Sequence, residues 1–146
     1  MKPVHFAFMM ALSSVAACGR RVPVVRTDPD PILARLQLPS SIHDVVWTAE
    51  PVVGDGCIPA HDSPTRIHAF IAGYAGGGTP GRMDMPVLIA NEILPASLRA
   101  KGVVNGDAIS IEGGTPNRNE LERPEKAQVR QAVTTPEGLV LELWIR

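Results

Sequence analysis

The sequence predicts a small α+β domain, mainly β, behind an N-terminal leader and an extended linker. Three observations carry that prediction. Runs rich in β-branched and aromatic residues recur from residue 42 onward. A proline-rich stretch precedes them, and an apolar segment precedes that. With 146 residues, 45% of them hydrophobic and 20% charged, the chain suits one modest hydrophobic core. The organisation expected is a signal peptide over 1–17, a linker over 18–41 and one domain over 42–146.

The leader begins with Lys2, followed by twelve mostly apolar residues from Phe6 to Ala17. A membrane-spanning helix needs about 20 apolar residues, so this length fits a secretory h-region that is removed. The end of the run, Val15-Ala16-Ala17-Cys18, resembles the lipobox of bacterial lipoproteins. That resemblance implies diacylglycerol on the Cys18 sulfur, cleavage just before Cys18, and a mature chain anchored by its acylated first residue. Each buried methylene contributes roughly 0.8 kcal/mol, so two or three acyl chains hold persistently where one does not. Gly19 stands where an aspartate retains some lipoproteins at the inner membrane, so the resemblance points to the outer membrane, facing the periplasm. The alternative is a secreted protein in which Cys18 pairs with Cys57. With Cys18 acylated, Cys57 has no intrachain partner.

From Gly19 to Ser41, Pro23, Pro29, Pro31 and Pro39 favour an extended tether, with a reach of up to about 70 Å if it is polyproline-like. Within it "DPDPILARLQLP" fits a short helix, with Asp30 capping, Pro31 in the first turn, and Ile32, Leu33 and Leu36 on one face. Arg20, Arg21 and Arg26 lie close enough to the anchor to meet anionic headgroups, although solvated linker charge is the preferred account of them.

Two strands are expected over 42–53, around Trp47, and over 66–75, "RIHAFIAGYA". "GGGTPGRMDMP" reads as a loop, and "VLIANEIL" over 87–94 as a third strand. "PASLRAKG" fits a helix opened by Pro95 and stopped by Gly102. Asp107 to Ile111 alternates as a short strand ending in Gly113-Gly114. Val129, Ala132 and Val133 fall at helical spacing over 124–133, and "LVLELWI" over 139–145 closes the chain as a strand.

In the second half, Gly102, Gly106-Asp107, Ile109, Ile111 and Gly113-Gly114 make the region 87–146 similar to the later part of a PDZ domain. The resemblance implies a peptide groove flanked by a helix over "ELERPEKAQVRQAV". The segment "CIPAHDSPTRI" departs from the family's carboxylate-binding loop. An OB-like barrel has a compatible element order and is the alternative.

The formal charge of −1 at pH 7 becomes one unit more negative without the leader, so a generic nucleic-acid partner is not expected. Catalytic motifs are absent: there is no Gly-x-Ser-x-Gly elbow, no metalloprotease helix motif, and "AGGGTPGR" lacks the Gly-Lys-Ser/Thr of a P-loop. No enzyme activity, cofactor or metal is therefore expected. His43, His61, His68, Met83 and Met85 offer the ligand types of a periplasmic copper site, but no two of the histidines share metal-site spacing. Met83 and Met85 alternate around Asp84 and equally suit one apolar side of an extended segment. Asp55, Asp62 and Asp107 sit in turn contexts, and Trp144 is read as core or rim packing. The expectation is a lipid-anchored envelope protein with a protein-binding or assembly domain; the alternatives are an envelope enzyme without a recognisable motif and a metal-binding protein.

Overall fold

A computed structural model describes residues 23–52, 63–123 and 125–146. The leader, Cys18 and Cys57 lie outside the described residues, as do Asp55, His61 and Asp62. The domain is mainly β, an open antiparallel sheet whose strands are β1 (Val25–Arg26), β2 (Val45–Pro51), β3 (Thr65–Ala72), β4 (Thr79–Pro86), β5 (Val103–Asn105), β6 (Ala108–Thr115), β7 (Gln128–Thr134) and β8 (Gly138–Ile145). Their order is β1-β2-β3-β8-β7-β6-β4, with β5 paired to β6. Among the described residues four short helices interleave them: α1 (Asp30–Leu33), α2 (Val87–Ile93), α3 (Ala96–Lys101) and α4 (Arg118–Leu121).

The strands expected over 42–53, 66–75 and 139–145 form β2, β3 and β8, and the Pro95–Gly102 helix forms as α3. Strand β8 lies at the centre, and six of its eight residues are buried. Its side chains alternate between two cores. Leu139, Leu141 and Leu143 join Val45, Trp47, Ile67 and Ile71 on the first face, while Val140 joins Phe70 and Val133 on the second.

What covers the first face corrects the expected linker. Ile32 and Leu36 are fully buried against it, together with Leu121 of α4. The segment is stitched down by Gln37 N donating to Leu121 O (2.8 Å), Arg123 Nε to Leu36 O (2.9 Å) and Trp47 Nε1 to Asp28 O (2.8 Å). The folded unit therefore includes residues 25–38 of the expected linker, because the first face of the sheet is apolar and these residues supply its cover. Helix α1 starts one residue earlier than a cap at Asp30 would require. Pro29 takes the cap position, and no side chain caps the helix.

Across the second face lie β4, β6, α2 and α3. Strand β6 meets β7 through the single pair Gly114↔Thr134. A Cβ on Gly113 would sit 2.2 Å from Thr134 O, so the two backbones approach this closely only with glycine there. The short strand expected to end in Gly113-Gly114 is β6, which runs through both glycines to Thr115. Beyond that junction β6 and β4 fold over the second core, placing Met83, Met85, Ile109 and Ile111 against Val133 and Val140.

Three other expectations are corrected. "GGGTPGRMDMP" is not simply a loop: from Thr79 it is β4, paired with β6 over its full length, with Met83 and Met85 pointing inward between exposed neighbours. The strand expected over 87–94 is instead the helix α2, Val87–Ile93, in which Ile89, Ala90 and Ile93 bury one helical side while Leu88 is exposed. In place of the groove helix over 124–133 stands strand β7, whose bulge lies between Val129 and Gln131. That extra residue puts Val129 and Ala132 on one face of the sheet three positions apart and turns Val133 to the other. An i, i+3, i+4 pattern thus arises without a helix.

If residues 30–36 belong to the folded unit, Leu36→Ala should cost about 3 kcal/mol of unfolding free energy, read from urea midpoints. A residue of a solvated tether would change stability by less than about 0.5 kcal/mol.

Candidate functional site

The second face of the central sheet is organised in rows by strand register. An apolar row, Val46–Phe70–Val140–Val133, is followed by a polar one, Thr48–His68–Glu142–Gln131, and then by Glu50–Arg66–Trp144–Gln128 at the rim. Residues two apart along a strand share a face, so the polar row crosses β2, β3, β8 and β7 side by side. Thr48 is wholly buried, and His68 and Glu142 nearly so.

Glu142 organises this row. Its Oε1 accepts from Trp144 Nε1 and its Oε2 from Gln131 Nε2, each at 2.8 Å, and His68 Nε2 lies 3.8 Å from Oε2. Gln131 reaches Glu142 because the β7 bulge turns it onto this face. The same Gln131 amide accepts from Asp84 N at 3.2 Å and donates to Asp84 O at 3.4 Å. A side chain thereby joins the backbone of β4 to the sheet beneath it. Ser110 Oγ donates to Asp84 Oδ1 on the neighbouring strand. Glu122 Oε1 accepts from Val129 N at 2.8 Å, just before the bulge.

Burial pulls the His68 imidazole from 6.5 down to about 4, with Arg66 adding to the shift and Glu142 opposing it. His68 is therefore neutral at pH 7, and its approach to Glu142 is not an ion pair there. Among the described residues, His68 Nδ1 and Thr48 Oγ1 have no hydrogen-bond partner. The row can fix the registers of four strands and tie β4 down. Burial denies a substrate access to it, so it is a framework for the surfaces on either side.

Two such surfaces are built on it. At the rim, the bulged Arg130 stacks over Trp144 with its guanidinium carbon 4.4 Å from the ring centroid. Trp144, Gln128, Lys126, Arg146, Arg130 and Glu125 line an open groove of about 290 Å³ at this end of the sheet. Elsewhere, among the described residues β5 is paired on one side only, with β6, and its consecutive Val103 and Val104 are 63% and 59% exposed. Gly106, at φ +65°, opens the tight turn to β6, a position that suits glycine.

Of the residues singled out from sequence, Met83 and Met85 are core side chains, exposed His43 lies apart from buried His68, and Asp107 is in the β5–β6 turn, where its carbonyl accepts from Val87 N. Trp144 packs at the rim but also lines the groove. The polar row itself was missed. Its sequence signal is a polar residue at the centre of an otherwise apolar strand, His68 in "RIHAFIAG" and Glu142 in "LVLELWI".

A histidine depressed on folding keeps the protein at full stability above about pH 6.5 and weakens it as pH falls toward 4, because the unfolded chain takes up the proton first. Urea midpoints should show about 2 kcal/mol less stability at pH 5 than at pH 7.5, and His68→Gln should flatten that slope. A slope unchanged in the variant would assign the pH dependence to other groups.

No family model matches the chain, and no curated protein or solved structure does either, so the site is read from its own geometry.

Proposed function

We propose that this chain is a bacterial envelope lipoprotein, acylated at Cys18 and facing the periplasm from the outer membrane, whose domain binds a protein partner by strand addition. The anchor rests on Val15-Ala16-Ala17-Cys18 and on Gly19 after it. Among the described residues no helix is long and apolar enough to cross a membrane. The observation that carries the binding role is the edge of β5. Exposed apolar edge strands are liabilities that proteins normally blunt with charge or proline, and Val103-Val104-Asn105 has neither. A partner strand laid along it would gain backbone hydrogen bonds and cover two valines.

This mode needs neither the flanking helix of a PDZ-like groove nor the mouth of an OB-like barrel. An envelope enzyme is the weaker reading, since among the described residues the one histidine with a resolved shift, His68, is sealed inside the sheet.

A photoreactive residue at exposed position 103, introduced in native envelopes, should give a discrete adduct that Val104→Pro, which removes the outward-pointing N–H of β5, abolishes without changing the protein's level. The same residue at exposed position 43 should give none. Equal labelling at both positions would remove the strand-addition role. Separately, Cys18→Ala should abolish acyl labelling and detergent partitioning; a variant that stays labelled and membrane-bound contradicts the anchor.

A further inference from the structure

We propose that the Trp144 groove is the membrane-facing surface of the domain and docks on the phosphate headgroups of anionic phospholipids; this rests on the anchored reading above. Strand direction supplies the first part. Strand β1 runs antiparallel to β2, with Val25 opposite Thr48 and Arg26 opposite Trp47. Stepping back along β1 toward the N-terminus therefore leads along β2 toward Pro51. Pro51 is in register with Thr65, and Thr65 with Ile145, so that end of the sheet is the one that holds the groove. Chain entry and groove share one end.

Length is the second part. Cys18 precedes Pro23 by five residues, a covalent span of at most about 17 Å. Strands lie about 4.8 Å apart, so β1 is some 15–19 Å from β8 and β7. A chain anchored at Cys18 holds this end of the sheet within reach of the headgroup layer.

Charge is the third. Among the described residues the side chains of the groove set Lys126, Arg130 and Arg146 against Glu125, and its indole belongs to a half-buried tryptophan. Cations beside an amphipathic ring suit the interface of an anionic bilayer. Trp144 is held rigid for this by Glu142 on its Nε1 and Arg130 on its face. Nearby Arg66 is partly neutralised by Glu50 at 3.7 Å, and so is left out of the docking set.

The test uses the acylated full-length product reconstituted on phosphatidylcholine vesicles with and without phosphatidylglycerol, both carrying a headgroup spin-label as quencher. Trp47 is only 5% exposed and shielded from the quencher, so the quenchable emission is that of Trp144. Quenching should appear with phosphatidylglycerol, and Lys126→Glu with Arg146→Glu should lower the docked-to-free ratio by roughly tenfold. Those side chains are exposed, and an unchanged melting temperature confirms that the double variant folds. If the protein floats with vesicles but quenching is the same in both compositions, or the same in the variant, the docking proposal fails and the anchor stands. If the protein does not float, the anchor fails and the docking fails with it.

Discussion

Burial of β8 on both faces is the constraint on which the rest depends. A strand with Leu139, Leu141 and Leu143 on one side and Val140 on the other cannot be satisfied by one layer of cover. One face takes α1, Leu36 and α4; the other takes β4, β6, α2 and α3. Each leucine withdrawn from water contributes roughly 2–3 kcal/mol, so leaving either face open would cost more than a small domain can lose. The N-terminal segment is therefore recruited into the fold despite its prolines.

Glu142 is the exception inside that strand and explains much of the second face. A carboxylate buried among leucines and valines needs donors, and Trp144 and Gln131 supply them. Meeting that need requires the β7 bulge, which brings Gln131 to the right face, and Gln131 in turn holds β4 by its backbone. One polar side chain thus sets a bulge, a strand junction and the orientation of the rim tryptophan. The bulge also frees Arg130 to stack on that ring.

The central strands were legible because their signal is local: β-branched and aromatic residues in β2 and β3, and leucines alternating in β8. What was not legible depends on distant neighbours. Residues 87–94 are β-branched enough to resemble a strand, yet Pro86 and Pro95 bound a helix whose apolar side meets β2 and β4. "TPGRMDMP" carries loop residues, but the alternation of Met83 and Met85 becomes meaningful only opposite Ile109 and Ile111. The proline-rich segment looks like a tether until the uncovered face of the sheet is known. The proposed lipidation is the converse case: the lipobox resemblance that suggests it is confined to four consecutive residues, and no packing enters its reading.

Hydrogen exchange of backbone amides tests the primacy of β8 most directly. Amides of Leu139 to Leu143 and their partners in β3 should exchange last, together, and only through global unfolding, with the segment around Leu36 opening no earlier than the first core. Exchange of β8 ahead of the β4–β6 layer, or a β8 that opens independently of β3, would contradict an account in which both cores are built on one doubly covered strand.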